Sequence, residues 1–320
     1  MKFDANGNVV DASMPKLDKT IREHLAWSKK YNVGIKFLVG FSAYNVFNKV
    51  HLKGKNFKVG SAVWQNAWKN WLRGVEKAFT KEGVNPGDVT IEIFDEPHEG
   101  TGNLLYAVSK VAKESGVKMA MQITVGARKP GMVQFEKLLP LVDEWCMWGA
   151  HFNNKEMLGF IKKIKSQGKK LSFYYCNTNM RASLYRYYRR HAWIGKYYGC
   201  STIGLFALLN GPGGYYGRAS WKTACSGAVV YNSMGQCIPS IRYEALRLGV
   251  TDLQYLKVLE NLIAKAEKNG KAAAEVTRAK KFIADATRQV AIVQAHDPKA
   301  ATNARSQAVK LILELQKKLQ

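Results

Sequence analysis

The sequence predicts an α/β fold of the (β/α)8 TIM-barrel type, with six βα units visible and a C-terminal helical extension. Three observations predict it. Short apolar runs such as Ile35 to Phe41 (IKFLVGF) have the continuous hydrophobicity of strands buried on both faces. These runs alternate with amphipathic segments of helical period, the pattern of parallel βα units. Beyond residue 240 strand signals stop and three long helical segments follow.

In order, residues 14–32 read as a helix, 35–41 as a strand, and 61–82 as a helix. On the last, Trp64, Trp68, Trp71 and Val75 recur at helical spacing, a row expected to face the core. The turn at Pro86-Gly87 precedes strand 89–94; helix 101–115 leads to strand 117–125. Strand 144–150, helix 154–168, strand 171–176, helix 183–198 and strand 202–209 complete the run. Gly168 and Gly199 stand where helix C-termini need them. Six strands are two short of a closed barrel. Either an upstream segment completes it, or residues 3–10 and 226–231 partly close the gap. The expected division is a barrel over 1–240 and packed helices over 241–320, broken at Asn269-Gly270 and Asp297-Pro298.

Composition narrows the function. The 320 residues carry 49 Lys and Arg against 24 Asp and Glu, a formal charge of +25. Such a field draws polyanions. The basic residues are nevertheless spread along the chain without a run or a basic helix, so nucleic acid is not the expected partner. Five Cys with no C-x-x-C pair argue against a disulfide framework or zinc site. The six His include no H-x-x-x-H, so no metal and no cofactor is expected. Neither a G-x-S-x-G elbow nor a P-loop is present. No apolar run reaches the roughly 18 residues of a membrane span, and Met1-Lys2-Phe3-Asp4 opens no signal-peptide core. Cytoplasmic and secreted fates both stay open.

The densest chemistry lies at Ile91-Glu92-Ile93-Phe94-Asp95-Glu96-Pro97-His98-Glu99. An apolar strand runs straight into two carboxylates, and a proline stops it. Ligands of parallel sheets and barrels bind at the carboxyl ends of strands. Two adjacent carboxylates there repel, and one holds its proton toward neutral pH, as a general acid must. Solvated loop acids would give the same local pattern.

Four segments in this order resemble glycoside hydrolase family 123 and its uncharacterised relatives. They are Phe94-Asp95-Glu96-Pro97; Phe173-Tyr174-Tyr175-Cys176; Tyr188 to Trp193 with Tyr198-Gly199 and Ile203 to Phe206; and Pro239 to Gly249 with Asp252, Tyr255 and Leu256. The resemblance covers roughly residues 1–262, and Ile241–Leu259 is its most distinctive part. It implies a retaining β-N-acetylgalactosaminidase-like enzyme in which the substrate's own 2-acetamido group is the nucleophile. Glu96 would then be the acid/base and Asp95 the group that orients the acetamide. Such substrate-assisted enzymes depart from the usual two-carboxylate scheme. Tyr175 matches the strand-end tyrosine of the acetamido pocket; His98, Phe206, Trp221 and Trp193 are further substrate-side candidates. The final strand departs from the family pattern, with Phe206-Ala207-Leu208-Leu209 where a tryptophan is usual. Members carry a β-sandwich and the first barrel strands upstream, so an upstream segment is the expected partner beside the glycan. Arg242, Glu244 and Arg247 read as a structural ion-pair network. The alternative function is an inactive barrel that binds an anionic glycan or other polyanion.

Overall fold

The computed structural model describes the chain except residues 41, 56, 127–131, 177–181, 207–228 and 234–235, and the side chains of 206, 231–233 and 236–237. Two compact units divide it, Met1–Leu171 and Ser172–Gln320.

The first unit opens with a small antiparallel pair, β1 (Lys2–Phe3) and β2 (Val9–Asp11). Helix α1 (Pro15–Tyr31) ends at Asn32, whose left-handed backbone (φ 50°) turns the chain. Strand β3 (Phe37–Val39) and helix α2 (Ala43–Val46) follow, then α3 (Ala62–Lys81). The Ser61 hydroxyl caps α3 by accepting from the Trp64 N–H. The tryptophan row is core, as its spacing predicts: Trp64, Trp68, Trp71 and Val75 are all buried. Trp68 and Trp71 stack with centroids 5.2 Å apart, and the Trp64 indole N–H donates to Asn48 Oδ1 at 2.9 Å.

Three further βα steps complete this unit. They are β4 (Val89–Asp95) with α4 (Gly102–Glu114), β5 (Ala120–Val125) with α5 (Met132–Leu138), and β6 (Glu144–Trp148) with α6 (Lys155–Ser166). Strands β3 to β6 pair in chain order, all parallel. Sequential parallel pairing is what a barrel-type sheet requires and what an open sheet with a strand-order reversal lacks.

In the second unit β7 (Lys170–Cys176) pairs in parallel with β8 (Thr202–Phe206), with α7 (Arg190–Tyr198) between them. One π-helical turn, Tyr185–Arg189, leads into α7, and Gly199 closes it at φ 66°. Strands β9 (Val230–Ser233) and β10 (Gln236–Pro239) form an antiparallel hairpin. Helices α8 (Ile241–Lys268), α9 (Ala273–Arg288) and α10 (Pro298–Leu319) follow. Their apolar stripes share a core of Leu259, Ile263, Val276, Leu311 and Leu315.

The six expected parallel strands are all present, in a mixed α/β chain consistent with an incomplete barrel rather than a demonstrated closed one. One expectation is corrected. Residues 3–10 do not extend the parallel sheet, because β1 and β2 bond to each other around a turn fixed by Asp4, whose Oδ1 accepts from the Asn6 and Asn8 amides. Residues 230 and 231 likewise belong to the β9–β10 hairpin, while 226–228 lie outside the described residues.

The second unit is tied together at Asp252, a fully buried carboxylate on α8. Arg189 grips it in two bonds, Nε to Oδ2 at 2.8 Å and Nη2 to Oδ1 at 3.0 Å. The Trp193 indole donates to Oδ2 at 3.1 Å, and Arg305 of α10 lies 3.3 Å from Oδ1. Arg189 also donates to the Thr302 hydroxyl at 2.9 Å. Gly249 permits this approach, since a Cβ there would stand 2.3 Å from the Arg189 carbonyl oxygen. Glu244 and Arg247 do pair, but as an exposed bridge on α8. The buried ion cluster is centred on Asp252 instead.

Candidate active site

The site is built on the end of β4. Its sequence, Val-Thr-Ile-Glu-Ile-Phe-Asp, is rich in β-branched and aromatic residues and is buried almost throughout. An Asn85-Pro86-Gly87 turn launches it, the Asn85 side chain accepting from the Gly87 amide at 2.9 Å. The register against β5 is regular to Glu92↔Gln122 and then shifts, so that Phe94 stands beside Ile123 and Asp95 beside Thr124. An extra residue of this kind is a β-bulge, a device that re-aims side chains beside active sites.

Past the bulge the chain turns sharply. Glu96 has φ 44°, in the left-handed region that a residue with a β-carbon enters at a cost of about 1–3 kcal/mol. Its amide still donates to the Thr124 carbonyl at 3.0 Å, and Pro97 follows, buried. The turn lays the Glu96 carboxyl across the end of β5. A Cβ on Gly126 would lie 2.5 Å from Glu96 Cδ and 2.7 Å from Oε2, so only glycine leaves room. The Gly126 carbonyl oxygen is 2.9 Å from His151 Nε2. Trp148 at the end of β6 meets the same imidazole edge-on at 5.9 Å. On the other side, the Tyr44 ring of α2 stacks on Phe94 at 4.9 Å.

Asp95 and Glu96 are the two adjacent carboxylates of this strand end. Both are open to solvent, yet crowding by the surrounding protein, reinforced by the Glu92 and Glu96 charges, pushes Asp95 up to about 6. Below Asp95, Glu92 is buried in the strand and accepts from the Thr124 hydroxyl, which accepts in turn from the Gln122 amide at 3.4 Å. An Asp with a raised pKa is mostly ionised at neutral pH and binds a proton more avidly than an ordinary carboxylate, as suits a group that polarises an N–H.

The sequence-predicted residues fall in different places. Asp95 ends β4, Glu96 and His98 follow it in the turn, and the His98 ring is 2.6 Å from the Glu99 carbonyl through Nδ1. Tyr175, at the end of β7 in the second unit, is half-buried against His191, with centroids 5.1 Å apart, and burial raises its phenol. His191 stacks on Phe173 at 4.5 Å, and its burial lowers it to about 4, so it is neutral at physiological pH. Trp193 is fully buried, its N–H committed to Asp252. Phe206 ends β8 beside Cys176, with its side chain outside the described residues, as is the whole of Trp221. Among the described residues no three His, Cys, Asp or Glu gather as a metal set.

Sequence reasoning missed Glu92, Thr124, Gly126 and His151. A signal for the first two exists: a glutamate inside VTIEIF, and polar Gln122 and Thr124 inside an otherwise apolar strand, are out of place unless they face a polar interior. Gly126 and His151 have no local signal, because their roles come from neighbours on other strands.

No protein among the functionally curated ones matches the chain. A family model, described as the glycoside hydrolase 123 catalytic domain, matches residues 25–198, more than half of the chain and the whole of the Asp95–Glu96 site. The chain belongs to glycoside hydrolase family 123, and the part that carries the two carboxylates is that family's catalytic domain.

Proposed function

We propose that this glycoside hydrolase cleaves 2-acetamido-2-deoxy-β-glycosides of the N-acetylgalactosamine type, with retention and with assistance from the substrate. Glu96 donates its proton to the glycosidic oxygen. The acetamido carbonyl oxygen attacks C1 from the opposite face as the C1–O bond breaks, and Asp95 accepts the hydrogen bond of the acetamido N–H, stabilising the cyclic oxazolinium. Glu96, now ionised, then takes a proton from water as the water oxygen attacks C1 and reopens the ring. His98, three residues past Asp95, lines the sugar.

The observation that carries this reading is the adjacent pair itself: one carboxyl laid over Gly126, the other pushed up to about 6 by crowding and like charge. Two adjacent carboxylates cannot flank a sugar ring from opposite faces, whereas retaining enzymes with a protein nucleophile hold theirs roughly 5 Å apart across the bond. An internal nucleophile removes that need. The test is hydrolysis of aryl 2-acetamido-2-deoxy-β-galactoside and β-glucoside beside the 2-hydroxy sugars. Turnover confined to the acetamido substrates, and lost in Glu96→Gln and Asp95→Asn, is the expected result. Equal turnover of the 2-hydroxy substrates overturns it. Salt-dependent glycan binding without any turnover would favour the polyanion-binding alternative that the +25 charge raises.

A further inference from the structure

We infer that Glu92 is a positioning residue for the proposed reaction, placed under Asp95 by the bulge in β4 and held there by Thr124. In a regular strand, residues three apart point to opposite faces. Gln122 and Thr124, two apart on β5, share one face; they stand beside Glu92 and Asp95 respectively. The single residue inserted between Glu92 and Phe94 therefore brings both carboxyl-bearing positions to the same side of the sheet.

Glu92 is buried, so its charge acts through little intervening water. Its carboxylate is fixed rather than mobile. The Thr124 hydroxyl donates to Oε1, Gln122 supports Thr124, and Gly40 leaves Oε2 room, since a Cβ there would be 3.3 Å away. The charges acting on Asp95 are Glu92, within β4, and Glu96, just past its end. The neighbouring β5 contributes uncharged Gln122 and Thr124, and Tyr44 stands over Phe94. Glu92 thus makes Asp95 a stronger proton acceptor toward the acetamido N–H without touching the sugar. This role rests on the acetamido reading.

The experiment titrates the Asp95 carboxyl by NMR on the full chain with isotope-labelled aspartate, assigned with Asp95→Asn. In Glu92→Gln, which keeps an oxygen for Thr124 and removes the charge, the Asp95 midpoint is expected to fall by roughly 0.5–1 pH. Glu92→Asp, which keeps the charge, is expected to restore most of the difference. The acidic limb of the kcat/KM profile should move down with the midpoint, while a purely structural role would lower kcat/KM at every pH and leave the limb in place. Should Glu92→Gln fail to fold, Glu92→Leu removes the same charge without leaving a buried polar end group, and the Asp95 midpoint again falls. A native midpoint in a folded variant that lacks the Glu92 charge overturns the inference. The NMR readout needs no substrate, so absence of turnover on acetamido sugars defeats the proposed function alone, and an unmoved midpoint with turnover intact defeats the role of Glu92 alone.

Discussion

Asp95 and Asp252 are the same side chain in opposite surroundings. Asp95 stands at a strand end beside two other carboxylates, next to a strained backbone, and its proton is held up to about 6. Asp252 is enclosed, gripped by Arg189, approached by Arg305 and hydrogen-bonded by Trp193. Arg189, Arg305 and Trp193 all compensate the charge of Asp252, whereas Glu92 and Glu96 oppose that of Asp95. Compensation is what stability requires of a buried charge. Uncompensated like charge costs stability and tunes reactivity, and active sites are where such arrangements persist. The contrast separates a residue that holds the fold from one that the fold holds in readiness.

The comparison can be broken at either end. Glu96→Gln should lower turnover by roughly 10²–10⁴-fold with little change in melting, measured by initial rates and calorimetry. Asp252→Asn should do the reverse. Leaving Arg189 and Arg305 without their buried partner should cost about 3–5 kcal/mol in a denaturant titration, with turnover per folded molecule little changed. Gly126→Ala tests the seat of the proposed acid, because its methyl would displace the Glu96 carboxyl. A loss on the order of 10²-fold in kcat/KM is expected with the fold retained.

The smallest effect is on stability at Asp95 itself. Its folded pKa, about 6, lies above the ordinary 3.8. The folded state thus holds this proton more tightly than the unfolded chain. The resulting stabilisation is full below about pH 4 and is lost as pH rises through about 6. Asp95→Asn should therefore be more stable than the native chain at pH 8, by less than about 1 kcal/mol after solvent screening, and lose that advantage toward pH 4. Equal stability at both pH values would show that Asp95 is not under the strain assigned to it.

Much of the fold was legible because it depends on local pattern. The strand at 89–94, the Trp64–Trp68–Trp71 row and the helix ends at Asn32 and Gly199 are each written in a few adjacent residues. The Asp95–Glu96 pair was legible for the same reason. What was not legible depends on register. A bulge adds one residue to one strand relative to its neighbour, and nothing in VTIEIFD reveals which residue of MQITV will stand opposite. The fate of residues 3–10 was missed for a different reason: Asn6-Gly7 marks a hairpin turn, and β1 and β2 bond to each other around it.

Asp252 also bears on how this chain could vary among its kin. Its partners come from two stretches far from it in the sequence, Arg189 with Trp193 and Arg305, and Thr302 in turn holds Arg189. Exchanging the last helix for that of a relative would import a stranger to this cluster unless the threonine and arginine travelled with it. The terminal helices are thus not freely interchangeable trim; natural recombination should treat Arg189, Asp252, Thr302 and Arg305 as one inherited unit.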